Sequence, residues 1–220
     1  SNGNCTGGLA FATSTLSTTN AATSTPFQVP SQDRYYNAHP YLVDNHGLAA
    51  TSTLHGLNSA CEVQNVAPTI DAATISILDS DNTVDEITLA VPSATSGTFK
   101  VKFTVVDNNG CLNASSTNEI ASNIINVYRS GVTQASCNES SEYNSNSCYT
   151  ASSTLFTPFY SCSQDAATCS GSSDSDATFT CNFALWYNAD PTDATTQYTA
   201  QSWLASVRAT DNNATSSALT

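Results

Sequence analysis

The acidic side chains are the first residues in this chain whose spacing could do chemistry. The stretch LDSDNTVDE brings Asp79, Asp81, Asp85 and Glu86 together in one short run. Hard carboxylate oxygens at such spacing suit Ca2+. The run lacks the glycine and closing glutamate of an EF-hand at their required positions, so a solvated acidic turn is the competing reading. Three further sites, LVDNHG, VVDNNG and ATDNNA, place Asp44, Asp107 and Asp211 each before an asparagine, at the end of an apolar or alternating run. Asp and Asn at such corners satisfy local backbone N–H groups and tolerate left-handed conformations, and glycine supplies positive φ. Asp44, Asp79, Asp81, Asp85, Asp107 and Asp211 form the candidate calcium set, with a plain structural turn as the alternative at each. Asp174 and Asp176, in SSDSDATF, read as a polar loop.

Hydrolytic signatures are missing. The sequence contains no G-x-S-x-G elbow, no H-E-x-x-H and no glycine-rich phosphate loop. His39, His46 and His55 lie close together, two of them beside turns, and read as surface or packing residues. A glycosidase needs two acids in an aromatic cleft. Trp186 with Asp190 and Asp193 comes nearest, but LWYNADPTD reads more simply as a strand entering a proline turn. No catalytic residue is assigned, and the expectation is a protein that is not an enzyme.

Eight cysteines stand at 5, 61, 111, 137, 148, 162, 169 and 181. None forms C-x-x-C, and the histidines are remote in sequence, so disulfides are favoured over zinc or haem. Disulfides place the protein in an oxidising compartment, secreted or at the cell surface. Cys5 and Cys61 fall in the N-terminal part and the other six beyond it. Six cysteines allow fifteen pairings. The short spacings favour Cys137 with Cys148 and Cys162 with Cys169, which leaves Cys111 to meet Cys181. Asn4, Asn113, Asn138 and Asn213 begin N-x-S/T triplets, the acceptor pattern for N-glycosylation, although a chain so rich in Ser and Thr makes several by chance.

Bulk composition narrows the partners. Five Lys and Arg face 18 Asp and Glu among 220 residues, a net charge of -13, and charged residues make up only 10%, against about 25% in ordinary domains. So acidic a surface repels phosphate backbones and anionic membranes, and no run approaches the length of a membrane span. With no methionine in the chain, the expectation is a processed mature protein or a piece of a longer one.

The elements that would position these residues are strands. Period-two alternation dominates: Phe99, Val101, Phe103 and Val105 point one way and Lys100, Lys102 and Thr104 the other. ITLAVP alternates Ile87, Leu89 and Val91. ATFTCNFALWYN places Phe179, Cys181, Phe183, Leu185 and Tyr187 on one face, and SWLASVRATD does so with Trp203, Ala205 and Val207. Short strands separated by Asn, Asp, Gly and Ser turns argue an all-β sandwich. A single helical turn within NEIASNIINV is the one departure considered. A boundary falls at about residue 66, where CEVQNVAPTI passes through Ala-Pro, since proline ends ladder pairing and stiffens a junction.

VQNVAPTI, FKVKFTVVDNNG, INVYRSGV and the closing WLASVRATDNNATSS together resemble the immunoglobulin-like, PKD- and cadherin-like repeats of bacterial and archaeal surface proteins. The resemblance covers most of 63–220 and rests on short motifs. It implies tandem immunoglobulin-like sandwiches: a partial or small domain at 1–66, and a second at 67–220 with a Cys-rich insertion at about 136–170. It also implies that the Asp-Asn corners match calcium-bearing inter-domain corners, although the full acidic set of cadherin-like repeats is missing. A final strand is expected after TDNNATSS, so strand exchange between subunits enters as an expectation, with the Ser/Thr-rich LAFATSTLSTTNAATST as a candidate donor. The functional expectation is an extracellular structural subunit of a microbial surface layer, filament or pilus-like appendage that self-associates with identical subunits. The alternative is an adhesin or carbohydrate-binding module facing glycans or another cell surface. Tyr- and Asn-rich loops such as RYYNAHPY and SSEYNSNSCY fit either adaptable contact surfaces or solvated loops.

Overall fold

The computed structural model describes residues 35–37, 60–62, 64–79, 95–112, 118–141, 143–150, 160–171 and 174–220, with the main chain alone for 35–37, 60–62 and 95–98. The chain divides into two compact units, Ser1–Asn65 and Val66–Thr220. In the first, strand β1 (Tyr35–Asn37) pairs antiparallel with β2 (Ala60–Glu62). Asp44 and Cys5 lie outside the described residues, as do Asp81, Asp85, Asn4, Asn113, the ITLAVP alternation and the three histidines.

The second unit is built from two antiparallel sheets. One has the order β3-β4-β8-β7: β3 is Thr69–Leu78, β4 Thr95–Val106, β7 Tyr160–Gln164 and β8 Asp176–Leu185. The other has the order β6-β5-β9, with β5 Ile120–Arg129, β6 Cys148–Tyr149 and β9 Trp203–Asp211. The lone 3-10 turn, Gln134–Ser136, is the only helical element among the described residues. NEIASNIINV, the stretch considered for a helical turn, is β5 instead. Its β-branched residues favour a strand, with Ile125 and Val127 wholly buried.

Alternation builds the core. Phe99, Val101, Phe103 and Val105 of β4 are at most 4% exposed, as are Phe179, Cys181, Phe183 and Leu185 of β8. The two strands pair in register, Phe103 opposite Phe179 and Val101 opposite Cys181. The Phe103 and Phe179 rings stack with centroids 5.8 Å apart. Ile125, Val127 and Val207 of the second sheet close the same core. Each such side chain contributes about 1.5–3 kcal/mol on leaving water. Tyr187 departs from the expected face: β8 ends at Leu185, and the ring stands 58% exposed.

The Cys-rich stretch is not an insertion outside the fold. It contains β6 and β7, one strand for each sheet. Between β5 and β6 the chain folds over the outer face of the second sheet, where Tyr128, Cys137 and Cys148 form a smaller cluster with Val132 against it. Ion pairing of Arg208 on β9 with Glu139 at 2.6 Å holds this flap down. So the second half of β5 is covered on both faces, and Ile125, Asn126, Val127 and Tyr128 are all buried.

Cys137 pairs with Cys148 as expected, whereas the other four exchange partners: Cys111 bonds Cys169, and Cys162 bonds Cys181. The reason is register. Cys162 on β7 lies directly opposite Cys181 on β8. Cys111, in the loop after β4, meets the loop after β7, where Asp107 N–H donates to Ser175 O and Cys111 N–H to Asp174 O. Spacing in sequence carried none of this. Non-reducing proteolysis with mass spectrometry should return, among the linked peptide pairs, 111 with 169, 137 with 148 and 162 with 181. A peptide linking 111 to 181 would contradict the register of β7 on β8.

Candidate interaction surface

Two of the Asp-Asn corners are the same piece of chemistry repeated. At the end of β4, Asp107 Oδ1 accepts from Asn109 N–H at 2.8 Å, and Gly110 N–H donates back to Asp107 O at 3.0 Å. At the end of β9, Asp211 Oδ1 accepts from Asn213 N–H at 2.9 Å, and Ala214 N–H donates to Asp211 O at 3.2 Å. The fourth position is left-handed in both, φ 109° at Gly110 and 64° at Ala214, as an Asx-supported turn requires. Both aspartates are essentially unexposed. Asp211 also accepts from Thr215 N–H and from the Thr215 hydroxyl.

Glu119 joins this end of the sandwich and was not singled out in the sequence. It is 1% exposed, its Oε2 accepts from Asn212 Nδ2 at 3.0 Å, and Asn212 N–H donates to Glu119 O. Val66, the first residue of the unit, donates its N–H to Asn109 Oδ1 at 2.6 Å, so the chain enters the sandwich at the acidic end.

Asp79 does not share that end. It follows Leu78, which pairs with Lys100, six positions along β4 from the Val106 that Thr69 faces (106 minus 100), or roughly 20 Å at strand rise. Among the described residues no three His, Cys, Asp or Glu side chains gather as a metal site. Asp107 and Asp211 direct carboxylate oxygens at turn N–H groups. Of the described N-x-S/T asparagines, Asn138 donates its amide to Ala135 O and accepts from Ser140 N–H, whereas Asn213 is exposed on the β9 corner.

The opposite end of the sandwich is aromatic and rich in amides. Arg129, at the end of β5, pairs with Asp190 at 3.1 Å and lies 3.8 Å from the centre of the Tyr198 ring. It also donates to Gln201, whose Oε1 accepts from Gly131 N–H. A Cβ on Gly131 would press on the Gln201 amide and the Arg129 guanidinium, which would have to move aside. Asp190 accepts from Asn146 Nδ2 as well, its carbonyl receives the Trp203 indole N–H, and its own N–H reaches Asn146 O. The carboxylate named with Trp186 as a glycosidase candidate is therefore tied up in structure. Asp193 likewise accepts from Thr195 N–H and hydroxyl.

Tyr149 closes the base of this end. Its hydroxyl donates to Ser145 O at 2.5 Å and accepts from Trp186 N–H at 3.0 Å. Its ring meets Tyr143 edge-on and Trp203 at a tilt. Burial pushes the Tyr149 phenol well above the usual range, and burial likewise pushes Tyr143 up to about 12. Above the rim stand Tyr187, edge-on to Trp186, and exposed Asn188, whose amide donates to Ser145 Oγ and Asn146 Oδ1. These exposed groups carry no charge.

A third feature is the outer edge of β9. Residues 215–220 turn back along it: Asp211 N–H meets Thr215 O, Ser217 N–H meets Ala209 O, and Val207 and Thr220 exchange both main-chain bonds. Leu204, on the same strand, is 42% exposed.

No protein-family model matches this chain, no curated protein matches it, and no solved structure matches it. Among the described residues no helix is long and apolar enough to cross a membrane.

Two outcomes follow from the aromatic end. Tyr149→Phe strands the Trp186 N–H and the Ser145 carbonyl together, and should cost about 1–3 kcal/mol in denaturant unfolding. For pH, the folded-state pKa values of Tyr143 and Tyr149 lie above those of the unfolded chain, near 10. Their contribution to stability is complete below pH 10 and is lost as pH rises towards 12. Melting temperature should fall across that window, and by less in Tyr149→Phe.

Proposed function

We propose that this chain is an extracellular structural module, a subunit or segment of a microbial surface layer, filament or pilus-like appendage, and that it is not an enzyme. We read the second unit as an immunoglobulin-like sandwich. Its order β3-β4-β8-β7 facing β6-β5-β9 corresponds to strands A-B-E-D facing C′-C-F of that fold, and residues 215–220 stand where strand G begins. Immunoglobulin-like repeats in tandem, subunits that associate with copies of themselves, and completion by strand exchange follow from the same reading.

The observation that supports it most is the disulfide frame. Three bonds cross-link one unit, one between neighbouring strands, one across two loops at the acidic end and one under the flap on β5. Each restrains the unfolded chain by about 2–4 kcal/mol, a cost-free defence outside the cell, where thiols are oxidised. The charged inventory points the same way: Arg129, Asp190 and Glu139 are held in ion pairs that fasten loops to strands.

A second reading, an adhesin or carbohydrate-binding module, is favoured by one observation. The Tyr187 ring is 58% exposed beside Trp186 and Asn188, and an aromatic face flanked by amides suits a sugar ring. Retention on immobilised glycans, lost in Tyr187→Ala, would carry that reading.

Electron microscopy of protein taken natively from the cell surface or medium tests the structural one. Filaments or a lattice built from this chain are expected. Isolated monomers under all conditions would overturn it.

A further inference from the structure

The outer face of the β3-β4-β8-β7 sheet carries its charges in order. In an antiparallel pair, directly opposed residues project to the same side, and every second residue along a strand follows them. Phe99, Val101, Phe103 and Val105 fill the core, so Lys100, Lys102 and Thr104 of β4 project from the other face. Lys102 lies opposite Ser76 and Thr180, and Thr180 opposite Ser163. One level towards the acidic end, Thr104 lies opposite Asp71 and Thr178, with the two threonine hydroxyls 3.3 Å apart. Asp165 joins this level through its N–H, which donates to the Thr178 carbonyl. At the next level Asp176 lies opposite Val106, four positions along β4 from Lys102 (106 minus 102), or about 13 Å at strand rise. Lys102, Asp71, Asp165 and Asp176 are all exposed. The aspartates accept only from close neighbours, Ala73 N–H, Ala167 N–H and the Ser175 hydroxyl. Lysines thus stand on one half of a hydroxyl-bearing face and aspartates on the other.

We propose that this face joins two copies of the chain about a two-fold axis that crosses the strands at Thr104 and Thr178, setting Lys102 of each copy against Asp176 of the other. This rests on the self-associating structural reading and names its surface. The argument for a second copy is charge complementarity. Copies with a net charge of -13 repel one another, so a contact between them must bring a cation of one to a carboxylate of the other. Arg129 and Arg208 are already paired within the copy, with Asp190 and Glu139. Lys102 is exposed and has no ion pair among the described residues. A two-fold contact is self-complementary: if one residue meets another, the second meets the first. Rotation about an axis across the strands reverses their direction, so the lysine half of one copy falls on the aspartate half of the other. Rotation about an axis along the strands would set lysine on lysine. With β4 over β4 and β8 over β8, Lys102 lies one strand to the side of Asp176, about 4.8 Å, within reach of its flexible four-carbon stem. At the axis the Thr104 and Thr178 hydroxyls meet their own copies, and each both donates and accepts.

Sedimentation of the full chain tests the contact by exchanging charges. Lys102→Glu and Asp176→Lys each set like charges at both symmetric contacts, and each alone should weaken self-association at least tenfold. An equimolar mixture of the two variants restores opposite charges at both contacts and should associate as the wild type does. Lys102→Glu mixed with Asp193→Lys, an equal change of charge at an exposed position of the aromatic end, should stay weak. Wild-type association by either single variant would overturn the proposal, and so would rescue by Asp193→Lys. A loss in Lys102→Glu that Asp176→Lys does not repair would assign the lysine to another anion, an acidic polysaccharide or protein, and would also overturn it. Should a reversal lose its cooperative melt, Lys102→Gln and Asp176→Asn decide, and association unchanged in both overturns it. Assemblies seen by microscopy that persist in both reversals would defeat this contact and leave the structural function standing. A full chain that never associates, from native sources or in solution, would defeat both.

Discussion

The structure depends on the face-to-face burial of alternate residues from β4 and β8 against β5 and β9. β4 is paired on both edges, by β3 and β8, and Val101 and Phe103 are wholly removed from water. Without this layer nothing else would have a fixed position. The corners at Asp107 and Asp211 leave from its strand ends, the aromatic end closes over it, and the disulfides join strands and loops that it has already brought together. In so lightly charged a chain, that apolar layer and the main-chain ladders supply most of the order, and the few ions act as local fasteners.

Polar groups are handled differently at the two ends. At the acidic end, the buried Asp107 and Asp211 receive backbone N–H groups from their own turns, so charge is stabilised by main-chain dipoles over two to four residues. At the aromatic end the partners are distant in sequence: Arg129 with Asp190, Trp203 with the Asp190 carbonyl, Asn188 with Ser145. The first arrangement is local and can recur wherever the same short motif appears. The second exists only because β5 and β8 end, and β9 begins, at the same height, and it helps to fix the long loop 186–202.

The edges of the two sheets connect architecture to assembly. Barrels remove edges, but an open sandwich must shorten, cover or use them. Here β6 is two residues long and β7 five, and residues 215–220 run along the second half of β9.

Much of this was legible in the residues. The alternations in TFKVKFTVV and ATFTCNFAL showed which side chains face the core, because side-chain direction in a strand follows from backbone geometry alone. The turn chemistry of Asp107–Gly110 was equally readable, since an Asx turn is completed within four residues. Disulfide use was legible too, as a matter of compartment and count. What depended on the tertiary structure was every pairing between distant segments. Cys162 meets Cys181 and Cys111 meets Cys169 because of the order β4-β8-β7 and its register, which no spacing encodes. Glu119 and Arg129 looked like ordinary polar residues at strand ends and acquired partners only when the sheets stacked. NEIASNIINV hid a strand because both its faces are covered, and burial on both sides erases the alternation by which a strand is recognised.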